Sequence, residues 1–99
     1  MIRHIFIGVI KEGVPASKIN ERLEVMKGLK DAVPFVKNFA VGRNLGWFTP
    51  IDSLVLTADF DNKEKWEEFI NSDYHMQKLG AVAGEVFDME KSSAYQFEY

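Results

Sequence analysis

Apolar and polar positions divide this chain into short hydrophobic runs separated by charged or turn-forming stretches. Residues 2–11 are rich in Ile, Phe and Val and alternate poorly, which predicts a strand buried on both faces. Its even face carries Ile2, His4, Phe6, Gly8 and Ile10; its odd face carries Arg3, Ile5, Ile7 and Val9. Lys11 to Val14 predicts a turn around Gly13, and Pro15 suits the first position of a helix. Ile19, Leu23, Met26, Leu29 and Val33 then recur at steps of four, three, three and four, the stripe of one amphipathic helix. Pro34 ends it, because proline drives the residue before it out of helical geometry.

Phe35 to Gly42 predicts a second strand, and Arg43 to Pro50 a loop that contains Trp47 and Phe48. Ile51 to Phe60 predicts a third strand, with Leu54, Leu56, Ala58 and Phe60 on one face and Val55 and Thr57 on the other. Asp61 followed by Glu64 is a capping signal for a second helix, whose inner edge is Trp66, Phe69 and Ile70. After a break at Asn71-Ser72-Asp73, His75, Leu79, Val82 and Val86 fall on one face of a third helical stretch. Gly80 and Gly84 weaken that stretch. Ser92 to Tyr99 closes the chain as a strand, with Tyr95, Phe97 and Tyr99 opposite Ala94 and Gln96.

This order packs most simply as a single α+β domain over residues 1–99, a ferredoxin-like four-stranded antiparallel sheet with helices on one face. The other face would still carry Ile5, Ile7, Val9, Val55, Tyr95 and Phe97. A monomer would expose that patch to water, so the pattern predicts a homodimer joined through the open sheet face.

Composition narrows the function classes. The 99 residues are 46% hydrophobic, enough for a real core in one domain. A net charge of −3 without a Lys/Arg stripe argues against nucleic acid. The chain has no cysteine, which excludes disulfides and thiolate metal sites. The apolar opening is too short for a membrane span and lacks a cleavage signal, so a cytoplasmic protein is expected. Asp52, Asp59 and Asp61 are scattered by strand parity and form no convincing metal cluster, and nothing calls for a cofactor.

Candidate chemistry rests on the two histidines, His4 and His75. With the even face of the first strand toward the helices, His4, Phe6 and Gly8 would line a cavity. Leu23, Met26, Phe69, His75 and Leu79 would roof it, and Leu54, Leu56, Ala94 and Gln96 would wall it. Such an apolar hollow with a few polar groups suits a small hydrophobic ligand. A neutral imidazole there could take a proton from activated carbon, while the second histidine or Gln96 hydrogen-bonds the enolate oxygen. Equally, either ring could be a packed, hydrogen-bonded core histidine. Tyr74, next to His75 on a helix, would point away from it.

The stretches MIRHIFIGVIKEGV, AVPFVKNFAVGRN, LVLTADFDNKEKWEEFI and AYQFEY, with the His75 helix between the last two, resemble the stress-responsive dimeric α/β-barrel (Dabb) family across essentially the whole chain. The resemblance implies a dimeric ferredoxin-like barrel. Family members often carry a His-Pro-x-His run after the second helix, where this chain reads Ser72-Asp73-Tyr74-His75. A plant branch cyclises a linear polyketide by aldol chemistry, with a tyrosine and a histidine transferring protons. By that resemblance His75 matches the catalytic histidine and His4 the histidine on the first strand. The tyrosine position falls on Phe69, a pocket tyrosine on Met26 and a pocket histidine on Leu54. Some relatives hold a cation through backbone carbonyls at the end of the first helix, here residues 30–36, where side-chain identity does not test it.

Three readings follow: a cyclase or lyase using histidine acid-base chemistry, a non-catalytic stress-associated ligand-binding dimer, and a cofactor-free monooxygenase of the dimeric-barrel type. Fold alone does not separate them.

Overall fold

The computed structural model describes residues 1–80 and 82–99. Four strands, β1 (Ile2–Val9), β2 (Lys37–Arg43), β3 (Ser53–Phe60) and β4 (Ser93–Glu98), form an antiparallel sheet in the order β2-β3-β1-β4. The apolar first run takes a central place in the sheet, as its composition requires. Register sets the faces: His4 lies opposite Ala58 on β3 and Gln96 on β4, and Phe6 opposite Leu56 and Ala94. Cross-strand partners share a face, so these side chains all point toward the helices. The first and last residues are tied as well, since the Tyr99 N–H donates to the Met1 carbonyl at 3.0 Å.

Helices α1 (Ala16–Lys27), α2 (Leu29–Ala32) and α3 (Lys63–Ile70) cover that face. Ile19, Met26, Leu29, Val33 and Phe69 from the helical layer pack on Leu54, Leu56, Ala58 and Phe60, and all are buried. The two predicted stripes, one of period 3.6 and one of period 2, are thus the two halves of one core.

The helical layer departs from expectation in four places. The stripe from Ile19 to Val33 belongs to two helices that meet at Gly28, not one. A Cβ at Gly28 would overlap the Tyr74 hydroxyl, which donates to the Val25 carbonyl at 2.5 Å. Pro15 is extended (φ −61°, ψ 147°) and caps α1 from outside, its carbonyl accepting from the Lys18 and Ile19 N–H groups. The cap of α3 is Asn62, whose side chain accepts from the Lys65 N–H at 2.9 Å. Asp61 instead pairs with Lys37 at 2.6 Å.

The third helical stretch is not a continuous α-helix. Tyr74–Gly80 is a π-helix and Ala83–Glu85 a 3₁₀ turn; Ala81, within that stretch, lies outside the described residues. Tertiary bonds set this segment's geometry. Tyr74 is pinned to α1, the Lys78 carbonyl accepts from Arg22 at 2.7 Å, and Ser72 Oγ accepts the His75 N–H at 3.2 Å.

The odd face of β1 is the open side of the sheet, as the pattern predicts for a single chain. Arg3, Ile5, Ile7 and Val9 are half-buried, and among the described residues no helix covers them in the single chain. Tyr95 and Phe97 are exposed beside them, and the loop joining β2 and β3 exposes Trp47 (89%) and Phe48 (98%). One end of this face is polar. Asp59, itself buried, accepts two hydrogen bonds from Arg3 at 2.8 Å, one from Asn38 at 2.9 Å and one from the Tyr99 hydroxyl at 2.5 Å. Those bonds, chiefly from Arg3, hold the Asp59 carboxyl well below its usual range.

Candidate functional site

Beneath the helices lies a cavity of about 340 Å³, at the lower end of the range for small-molecule sites. His4 and His75 both line it, as do Phe6, Met26, Leu56, Phe69, Leu79, Ala94 and Gln96. Three other expected lining residues do not. Leu54 is wholly buried in the core, and Leu23 packs against that core without reaching the hollow. Gly8 leaves space as expected, but Phe87 fills it: a Cβ there would lie 2.6 Å from the Phe87 ring.

His4 is held from two sides. The Trp66 indole N–H donates to its Nδ1 at 3.3 Å, and the Gln96 side-chain amide lies 3.0 Å from the same atom. Indole nitrogen can only donate, so Nδ1 is an acceptor and the ring proton sits on Nε2. The Gln96 amide must then present its NH₂ group. Burial, reinforced by His75, lowers the His4 pKa to about 4, so the ring is neutral at ordinary pH.

His75 is more loosely placed. Its ring meets Phe69 edge-on at 4.9 Å between centroids, and His4 meets the same phenyl ring at 5.6 Å. Nδ1 of His75 is buried and makes no hydrogen bond of normal geometry. Burial also lowers its pKa, with the Ile70 backbone carbonyl pulling the other way. The site therefore pairs a clamped neutral imidazole with one that has no fixed side-chain partner.

Sequence reasoning missed Arg22, Trp66, Ile70, Gly80, Phe87 and Met89 as lining residues. Trp66 and Ile70 were legible as the inner edge of α3, but their partners were not. Arg22 carried a signal of its own: it stands three residues after Ile19 and four before Met26, on the buried stripe of α1. Tyr74 is turned away from the cavity, as its helical position implied, with its hydroxyl committed to Val25. The described residues hold no group of three His, Cys, Asp or Glu side chains that could ligate a metal. They also include no helix long and apolar enough to cross a membrane.

The family model for the stress responsive A/B barrel domain matches residues 2–95. Among solved structures, a dimeric ferredoxin-like protein of unknown function from Thermobifida fusca superposes with a TM-score of 0.83 at 23% identity, covering 99% of this chain and 90% of that one. A dimeric protein of unknown function and ferredoxin-like fold from Bacteroides fragilis gives 0.80 at 18% identity, covering 99% and 95%. The hydroxynitrile lyase from Passiflora edulis gives 0.77 at 19% identity, covering 97% and 90%. At these identities the likeness is one of fold. No curated protein matches the chain in sequence.

Proposed function

The chain belongs to the stress responsive A/B barrel domain family, and on that premise we propose that it is a homodimer whose cavity binds a small apolar carbonyl compound and catalyses proton transfer, as a lyase or cyclase does. The observation that carries this reading is the opening of both histidines, in unlike environments, into one apolar hollow. His75, neutral and lacking a fixed side-chain partner, takes a proton from the carbon beside the carbonyl. The electron pair moves onto the carbonyl oxygen, where the Nε2–H of His4 or the Gln96 amide donates a hydrogen bond to the enolate. The enolate then attacks a second carbonyl or is reprotonated. Because His4 is neutral and held, it serves as donor rather than base.

Homodimerisation fits the apolar face of Ile5, Ile7, Val9, Tyr95 and Phe97, and the two similar structures described as dimeric. A second reading, a ligand-binding dimer without catalysis, is favoured by one feature: Phe69, against which both imidazoles pack, has no hydroxyl to share the proton transfers.

Deuterium exchange from solvent into the α-carbon of alkyl and aryl β-keto thioesters separates the two. Exchange that His75→Ala abolishes, with dimer and ligand binding retained, supports catalysis. Binding without exchange in the unaltered protein supports the second reading. Unchanged exchange in His75→Ala removes His75 as the base.

A further inference from the structure

Among the described residues Arg22 is the one permanently charged side chain lining the cavity, and no carboxylate lines it. It is only 7% exposed. Its Nη1 donates to the Lys78 carbonyl at 2.7 Å and its Nη2 to the Val82 carbonyl at 3.4 Å, while Nε is buried without an acceptor. Among the described residues no acidic side chain forms an ion pair with it. Glu21 and Glu85 border a shallow groove on its other side but stop short of such a pair. A guanidinium buried with backbone carbonyls as its only partners keeps much of its desolvation cost uncompensated. Both histidines in the cavity are held toward the neutral form, so neither brings a positive charge to it.

We infer that the cavity selects ligands bearing a carboxylate on a small apolar body, with Arg22 as the group that recognises the anion. The carboxylate supplies the acceptor that Arg22 lacks, in a low-dielectric setting where a charge-assisted hydrogen bond is strong. Phe6, Leu56, Phe69 and Leu79 take the hydrocarbon, and an acidic substrate's reacting carbon would lie between Arg22 and the histidines. This inference rests on the ligand-cavity reading and adds the head group to it.

Calorimetric titration with paired probes of equal body tests it: linear C6–C10 carboxylates and phenylalkanoates against their corresponding primary alcohols. In the unaltered protein the carboxylate of each binding pair should bind about 10- to 100-fold more tightly, the worth of a hydrogen bond to a charged group. Arg22→Gln and Arg22→Met should bring the carboxylate down to the affinity of the alcohol measured in the same variant, and Arg22→Lys should retain part of the preference. Equal binding of acid and alcohol by the unaltered protein overturns the inference but leaves the cavity reading intact. A preference that survives in a folded Arg22→Gln overturns it too, reducing Arg22 to a clamp on Lys78 and Val82. Binding of neither series overturns both. If the Arg22 variants fail to fold, the unaltered protein's acid-to-alcohol ratio still tests the inference, equal binding overturning it.

Discussion

The Trp66 indole donates to Nδ1 of His4 across 62 positions of sequence, and this one bond fixes which nitrogen of the imidazole carries the proton. Nitrogen-15 NMR should accordingly show His4 as the Nε2–H tautomer throughout the neutral range, without protonation until about pH 4. Trp66→Phe removes the donor while keeping a ring. It should cost about 1 kcal/mol and leave Nδ1 to Gln96 alone, so that both tautomers become visible. An Nδ1–H tautomer in the unaltered protein would show that the clamp is absent.

Acid should weaken the fold in two separable windows. The folded pKa of His4 is depressed to about 4 from an ordinary value near 6.5. Between those values the unfolded chain binds a proton that the folded one refuses, so stability falls as pH drops from about 6.5 to 4, by about 3 kcal/mol from this group. His75 shifts in the same direction and adds to the loss. Asp59 acts later: its depressed carboxyl contributes stability above the ordinary carboxylate range, and that is lost only as pH falls below about 4. Urea titrations across pH 4–7 on His4→Gln, which cannot titrate, should show a flatter slope than the unaltered chain. An equal slope would contradict the depressed value.

Gly8→Ala should destabilise by about 1–3 kcal/mol, the usual cost of overpacking a filled interior. Its new methyl would press on Phe87 and Phe6, whose rings meet edge to face at 5.4 Å between centroids. Phe87 has its free space on the cavity side, so the variant should also bind small ligands more weakly. Thermal melts and the same titrations would detect both; unchanged values in both would place Phe87 elsewhere.

Sedimentation should give a dimer at micromolar concentration, and Phe97→Arg on the open face should shift it toward monomer. A mainly monomeric unaltered protein would refute the proposed assembly. The apolar loop with Trp47 and Phe48 should become shielded from collisional fluorescence quenchers on dimerisation.

What the sequence revealed, and what it concealed, divides along the range of the interactions. Strand parity placed Leu54, Leu56, Ala58 and Phe60 on one side of β3 correctly, because period-2 alternation is a local property of the chain. Helix phase likewise brought Met26 and Phe69 inward. The cavity's make-up was legible only in part, since lining depends on which large ring occupies which gap. Phe87 claimed the space above Gly8, and nothing near either residue announces it. The Trp66–His4 and Arg22–Lys78 bonds are equally non-local. The π-helix escaped for the same reason. Apolar spacing from His75 to Val86 suits an α-helix, and only anchors on α1 and at Ser72 overrule it.

Those anchors have a mechanical consequence. Tyr74 bonds to the Val25 carbonyl across the gap at Gly28, and Arg22 on the same helix grips Lys78. The segment bearing His75 is therefore moored at both ends to α1 rather than to the sheet. Amide hydrogen exchange in the two should be correlated, with α1 and residues 74–80 opening as one cooperative unit above a sheet that stays closed. A ligand that seats against α1 would thereby steady the histidine without touching its backbone.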